Sequence, residues 1–387
     1  MRRIVIVGAG LAGLRAAQEL RERGFDGELS IVGDELHLPY NRPPLSKQVL
    51  AGDMEPYECE FGRDDVDVSW ILGRPAAGLD ADRRVVRLAD GAELPYDGLV
   101  VATGRRAREW PDLPPMDGFH VLRGLDDAIR LREAVTSRPR VVIIGAGFIG
   151  CEVAATLRKR GLEEVTLVDV ASHPMPVLGP VIGERAARLH TDQGVGLYCG
   201  TKVERFEGGD RVEAVHLTNG TRLPADLVLV ALGSVANAEW LRDSDLELRD
   251  GNVLCDERCF AVGHEDVVAA GDVATWPHPR ADGPIRVEHW TNAAEMGRRA
   301  AANLLDPATA QPYVPVPTFW SDQYDAKIKA VGLFGRSERV SILEEDPETG
   351  ALVVEGHGAD ALAGAVTINR NKSFIAYKRR LTAEYGT

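Results

Sequence analysis

The sequence predicts an α/β protein made of two nucleotide-binding strand-turn-helix units on parallel sheets, followed by a C-terminal α+β domain. Three observations predict it. An apolar run breaks at a glycine and passes into a helical pattern twice, from Arg2 to Arg23 and from Arg140 to Arg160, an internal architectural repeat. Each copy closes with an apolar strand ending in a glycine turn, Leu99-Val100-Val101-Ala102-Thr103-Gly104 in the first and Leu227 to Gly233 in the second. Proline-rich segments, Trp110 to Pro115 and Pro312 to Pro317, separate these units from each other and from the C-terminal region.

In the first copy the buried-strand run Arg2 to Val7 stops at Gly8-Ala9-Gly10-Leu11-Ala12-Gly13, and a helix is expected from Leu11 to Arg23. Each glycine of this GxGxxG has a mechanical reason: Gly8 makes the tight turn, Gly10 admits a pyrophosphate to the backbone, and Gly13 lets helix and sheet pack. The helix N-terminus supplies amide donors and a positive dipole end to the phosphates. A second strand, Leu29 to Val32, ends in Gly33-Asp34-Glu35, where an acid suits a ribose diol; Asp34 is slightly preferred to Glu35.

The second copy, Gly145-Ala146-Gly147-Phe148-Ile149-Gly150, opens a helix from Phe148 to Arg160, and its acid is Asp169, directly after the strand Val165 to Val168. A carboxylate there bonds the ribose 2'-hydroxyl of NAD and repels the 2'-phosphate of NADP, and residues 170 to 173 contain no arginine, so NADH is expected. Both units are therefore Rossmann-like.

Two dinucleotide sites imply two different dinucleotides, since two nicotinamides have no useful chemistry together; a flavin between donor and acceptor resolves this. The strand Val267 to Ala270, ending at Gly271-Asp272, and a helix from Asn292 to Leu305 are placed to complete the first domain. Short runs such as Ala351 to Val354 and Ala363 to Ile368 read as antiparallel strands of a third domain. The expected boundaries are 1–109 and 234–311 for a split FAD-binding domain, 110–233 for the NADH-binding domain and 312–387 for the C-terminal domain.

Composition narrows the class. The 387 residues hold 44% hydrophobic and 27% charged side chains with a formal charge of -14, which fits a globular multidomain enzyme and argues against nucleic-acid binding. The five cysteines, Cys59, Cys151, Cys199, Cys255 and Cys259, suit a reducing cytosol. Cys255 and Cys259 read as core thiols rather than a redox or metal pair, because CxxxC lacks a second ligand pair, and no metal site is expected. The first strand starts almost at once, leaving no room for a signal peptide, and no apolar run has membrane-spanning length, so a cytoplasmic protein is expected.

With both fingerprints, the Gly271-Asp272 strand, Pro39-Tyr40-Asn41-Arg42-Pro43-Pro44-Leu45-Ser46-Lys47, Glu288-His289-Trp290-Thr291-Asn292-Ala293 and Phe319-Trp320-Ser321-Asp322-Gln323-Tyr324, nearly the whole chain is covered by one resemblance. It resembles the oxygenase-coupled, FAD-dependent NADH:ferredoxin reductases of the putidaredoxin reductase and biphenyl dioxygenase ferredoxin reductase type. The resemblance implies a glutathione-reductase-like fold with the FAD domain split around the NADH domain. It also implies a C-terminal domain that covers the flavin and helps dock a small iron–sulfur ferredoxin, the single-electron acceptor serving a cytochrome P450 or Rieske oxygenase.

The resemblance further implies cofactor-binding roles. Asp34 falls at the adenosine ribose, Arg42 and Lys47 near the cofactor, Ala76 at the adenine, Asp272 at the ribityl chain and Trp290 at the flavin ring beside His289. Ala102, Thr103, Gly104, Arg123, Gly271 and, on the NADH side, Gly233 complete the expected set. The resemblance sets Lys47 beside flavin N5 and Glu152 against the nicotinamide. Together they form the expected catalytic constellation, an ion pair that positions the two rings, since hydride transfer needs no protein proton. A helix start at Trp290 places a positive dipole end toward the flavin pyrimidine edge.

Residues 34 to 50 contain no cysteine, and Cys151 has no His or Lys close in sequence, so a thiol mechanism is not expected. The acidless stretch carrying Arg370, Lys372, Lys378, Arg379 and Arg380 is either a docking patch for an acidic carrier or a solvated face. Two rival readings stay open. One is a sibling flavoenzyme such as a rubredoxin reductase or NADH oxidase. The other is a redox-sensing binding protein similar to apoptosis-inducing factor.

Overall fold

The computed structural model describes residues 1–62, 66–359 and 361–385. Five parallel strands form the first sheet, in the order Val267–Ala269, Gly98–Val101, Arg3–Val7, Glu28–Val32 and Ser69–Ile71. Every residue of Gly98–Val101 is buried, as helices on both faces of a parallel sheet require. The chain leaves this sheet after Gly98–Val101 and returns to its edge with Val267–Ala269, as the second Gly-Asp strand led one to expect.

The second sheet has the order Gly196–Cys199, Val165–Asp169, Val141–Ile144, Leu227–Val230 and Phe119–His120, again all parallel. The chain passes between the two sheets along two adjacent strands, Arg105–Ala107 and Ser234–Ala236, which pair antiparallel. The third sheet is antiparallel, ordered Thr318–Gln323, Ala326–Gly332, Leu362–Ile368, Ala351–His357 and Arg339–Asp346, and the helix Asn371–Tyr385 packs on it through buried Leu381.

Helices follow both glycine turns, Leu11–Glu22 and Phe148–Lys159. The helix expected from Asn292 by apolar spacing, and from Trp290 by its place at the flavin edge, runs Trp290–Leu305, with His289 in extended N-cap geometry (φ -123°, ψ 146°). That helix lies against Leu11–Glu22 so closely that a Cβ on Gly297 would collide with the Ala12 carbonyl. One core gathers the first sheet and these two helices; a second joins the second sheet, the Leu45–Val49 turn and the inner face of the C-terminal sheet. Cys255 and Cys259 lie in the first core and Cys151 in the second, and all the cysteines are free thiols. Among the described residues no helix is long and apolar enough to cross a membrane.

Candidate functional site

A groove of about 1300 Å³ runs from the first glycine turn to the second, bounded at one end by the C-terminal sheet. Its construction begins with the glycines. Gly8 (φ +124°) and Gly145 (φ +108°) hold conformations that other residues rarely adopt, and a Cβ on either would meet the carbonyl of Ala102 or Ala231. Gly13 and Gly150 touch the carbonyls of Gly8 and Gly145, the close helix–sheet approach expected of the third glycine. The middle glycines differ: a Cβ on Gly10 or Gly147 would meet nothing within 4 Å. Neither helix has a side-chain cap or an acid in its first turn, so the amide donors there face the groove uncommitted.

Gly8, Gly10, Leu11, Ala12, Asp34, Glu35, Arg42, Lys47 and Ala76 all line this groove, as do Ala102, Thr103, Gly104 and Arg123. Gly271, Asp272, His289, Trp290, Gly147, Phe148, Ile149, Glu152 and Gly233 join them. Gly13, Gly145 and Gly150 sit just behind the wall, where they set its shape. Asp169 also lies outside the lining: its carboxylate turns back to accept the amides of Ala146 (2.6 Å) and Ala171 (2.8 Å). It thereby pins the second glycine turn to the end of its neighbouring strand.

At the first turn the two acids divide. The Glu35 carboxylate is committed to Arg42 (2.6 Å) and the Tyr40 hydroxyl (2.5 Å), whereas Asp34 accepts the next amide in the chain at 3.0 Å. Burial alone would lower the Arg42 pKa, but the Tyr40 oxygen and Glu35 outweigh it and hold the guanidinium above its ordinary value. Asp272, at the end of its strand, pairs with Arg123 at 2.8 Å; burial raises its pKa and the Arg123 charge only partly offsets this. Arg105, Arg286 and Glu288 form a further charged cluster, with Arg286 and Glu288 2.8 Å apart; no sequence motif singled out the two arginines.

Where the two halves of the groove meet, Lys47 Nζ lies 2.6 Å from Glu152 Oε2. The lysine comes from the Leu45–Val49 turn and the glutamate from the second glycine-motif helix, so folding brings together residues over a hundred positions apart. Glu152 is only 4% exposed, and it also accepts the hydroxyls of Ser46 (2.5 Å) and Ser321 (2.8 Å). Both serines were overlooked as site residues, although each stands within a segment that carried the family resemblance. Phe148 meets Phe319 edge-on at 4.7 Å, and Phe319 lies tilted against His289 at 5.0 Å, forming an aromatic wall next to the pair.

These residues fit a bound dinucleotide on structural grounds. At both turns the middle glycine, Gly10 or Gly147, leaves open space on the groove side, and two buried polar atoms on the wall, Thr103 Oγ1 and His289 Nδ1, have no hydrogen-bond partner. Burial holds the His289 pKa down at about 4, against the opposing pull of Glu288, so its imidazole is neutral at pH 7. The thiols are unsuited to redox catalysis: Cys151 is fully buried and its pKa is pushed far up by desolvation, so the thiolate is suppressed.

Outside the groove, a shallow cavity of about 750 Å³ is lined by Trp320, Phe374, Lys327, Lys329, Arg370 and Lys378 among others. The basic stretch read from sequence is divided by the fold. Arg370 is tied to Glu344 (2.5 Å) and Arg380 to Glu384 (2.9 Å), acids that the linear stretch itself does not contain.

Comparison with known proteins agrees with this geometry. The family model for pyridine nucleotide-disulphide oxidoreductases matches residues 2–297, and that for the reductase C-terminal domain matches residues 318–386. Rhodocoxin reductase of Rhodococcus erythropolis is 34% identical, with 98% of this chain and 90% of the relative covered. The ferredoxin--NAD(+) reductase component of the biphenyl dioxygenase system of Paraburkholderia xenovorans is 37% identical over 97% of this chain and 92% of its own. The crystal structure of the covalent putidaredoxin reductase-putidaredoxin complex superposes with a TM-score of 0.91 at 33% identity, covering 98% of this chain and 92% of that one. With two parallel nucleotide-binding sheets and an antiparallel C-terminal sheet, the chain belongs to the pyridine nucleotide-disulphide oxidoreductase family, in the branch that carries the reductase C-terminal domain.

Proposed function

We propose that this protein is an FAD-dependent NADH:ferredoxin oxidoreductase of the cytoplasm that supplies single electrons to an oxygenase or cytochrome P450 system. The observation that carries the reading is the Lys47/Glu152 pair, buried where the groove from one GxGxxG turn meets the groove from the other. Support comes from relatives named as ferredoxin reductase components of dioxygenase systems and from the solved complex of such a reductase with its putidaredoxin. In this reading residues 1–109 and 234–311 form the FAD domain, 110–233 the NADH domain and 312–387 the C-terminal domain.

When bound, the flavin supplies the conversion from a two-electron hydride donor to a one-electron acceptor. The chain's own residues supply position. Gly10 and the amides opening Leu11–Glu22 hold one pyrophosphate; Gly147 and those opening Phe148–Lys159 hold the other. Asp34 takes the FAD adenosine ribose, Glu35 being already committed to Arg42 and Tyr40. Ala76 flanks the adenine, Asp272 offers its remaining carboxylate oxygen to the ribityl hydroxyls, and Trp290 borders the ring. Asp169, its carboxylate fixed by two amides, keeps lone pairs for the NADH ribose and repels a 2'-phosphate. Lys47 and Glu152 hold the two rings in register, which removes orientational freedom before transfer.

The acceptor side is the shallow basic cavity around Trp320, which is 37% exposed. Lys329 and Lys378 give this face a local positive character against the overall charge of -14, as docking an acidic carrier needs, while Arg370 is tied to Glu344. The test is anaerobic reduction of the purified yellow protein by NADH, followed by cytochrome c reduction with and without two-iron, three-iron and rubredoxin carriers. A large rate dependent on an iron–sulfur carrier is expected. A protein that stays colourless after reconstitution with FAD refutes the proposal.

A further inference from the structure

Glu152 is held from a third direction, and the group that holds it is itself part of a chain. Ser321 and Gln323 alternate onto one face of the strand Thr318–Gln323, while Trp320 and Asp322 take the other and line the basic cavity. Ser321 Oγ lies 2.8 Å from Glu152 Oε1, Gln323 Nε2 lies 3.1 Å from Ser321 Oγ, and His190 Nε2 lies 3.1 Å from Gln323 Oε1. The Tyr324 hydroxyl closes the series 3.3 Å from His190 Nδ1. Ser321, Gln323 and His190 are each completely buried.

Chemistry fixes the direction of every bond. An ionised carboxylate only accepts, so Ser321 donates to Glu152 and its oxygen must accept from Gln323. The Gln323 amide then presents nitrogen to Ser321 and oxygen to His190, so His190 carries its proton on Nε2 and accepts from Tyr324 at Nδ1. Turning the amide over would set its oxygen and the Glu152 carboxylate against the single Ser321 hydrogen, leaving one acceptor buried and unsatisfied. Four donors therefore point one way, ending on the carboxylate that binds Lys47, and such chains strengthen each bond along their length.

We propose that Ser321, Gln323 and His190 are positioning residues, a polarised hydrogen-bond chain that fixes the Glu152 carboxylate for its contact with Lys47. The proposal rests on the reading above, in which that ion pair aligns donor and flavin. It makes the geometry of hydride transfer depend on a C-terminal strand whose opposite face lines the acceptor cavity.

Two measurements on the FAD-loaded protein test it. In stopped flow, Ser321→Ala lowers the limiting rate of flavin reduction by about tenfold, inside the hundredfold that a 1 Å misplacement can cost. The NADH concentration at half-saturation stays unchanged, Ser321→Thr restores the rate, and Gln323→Glu, which cannot donate to Ser321 when ionised, behaves like Ser321→Ala. In the wild-type protein, 15N NMR of labelled histidine shows His190 as the Nε2-H tautomer. A Ser321→Ala rate within twofold of wild type, measured beside a slow Lys47→Met, overturns the chain while leaving the ion-pair reading intact. A Lys47→Met protein as fast as wild type overturns both. An Nδ1-H tautomer at His190 reverses the polarity and overturns the proposal without any turnover measurement.

Discussion

Replacing Lys47 with methionine leaves the Glu152 carboxylate in place, 6% exposed in its side chain, with two serine hydroxyls and no cation. At 2.6 Å and an effective dielectric near 20 the gross attraction lost is about 6 kcal/mol. Desolvation of the lysine, 13% exposed in its side chain, had offset part of it, so the loss in folding stability is about 3 kcal/mol, the lower end for breaking a buried pair. Glu152→Gln in the same background removes the stranded charge and returns a substantial part, leaving a coupling of at least about 1.5 kcal/mol in the double-mutant cycle. The assay is urea unfolding with saturating FAD in every sample, paired with stopped-flow reduction by NADH, which Lys47→Met slows about tenfold or more. Additivity of the two single changes within about 0.5 kcal/mol would falsify the argument that the two side chains act as one unit.

The middle and third glycines of the second turn separate binding from folding. Gly147→Ala meets no neighbour within 4 Å, so stability holds within about 0.5 kcal/mol while the NADH KM rises sharply; Gly150→Ala strikes the Gly145 carbonyl and lowers the melting temperature as well. NADH is favoured over NADPH at least about tenfold in kcat/KM, and equal values for the two would remove Asp169 from its assigned role. Burial holds the folded-state pKa of His190 at about 4, below its ordinary 6.5, so the unfolded chain binds the extra proton between those values. The His190 contribution is therefore complete above pH 6.5 and lost as pH falls toward 4, by on the order of 3 kcal/mol; His190→Gln flattens that limb of the unfolding curve. Lys329→Glu, on the basic cavity, slows carrier reduction and weakens its salt dependence without changing flavin reduction by NADH; a salt-independent carrier rate in the wild type would contradict electrostatic docking.

The nucleotide-binding parts were legible because their rules are local. Gly8 and Gly13, like Gly145 and Gly150, are demanded by backbone contacts within a few residues or with the next strand, and the periodicity of Leu11–Glu22 and Phe148–Lys159 carries the helices. Apolar spacing alone set the start of Trp290–Leu305 late, at Asn292, because the extended conformation of His289 that sets it leaves no signature in that spacing. The basic stretch from Arg370 misled in another way. Glu344 comes from a distant strand, and Glu384 lies one turn beyond Arg380 on the same helix, so a run of like charge in sequence was not one in space.

The sequence by itself determined that there are two glycine turns, that each opens a helix and that acids follow at Asp34 and Asp169, and its resemblance to a known family singled out Lys47 and Glu152 as an expected pair. Tertiary structure decided what those groups touch: Glu35 tied to Arg42, Asp169 turned to the amide of Ala146, and Glu152 gripped by Lys47, Ser46 and Ser321. The division has a physical reason. Backbone turns and helix starts are set by short-range sterics that a few neighbouring residues encode, whereas the partner of a buried carboxylate is whichever donor the packing of separate sheets delivers within about 3 Å.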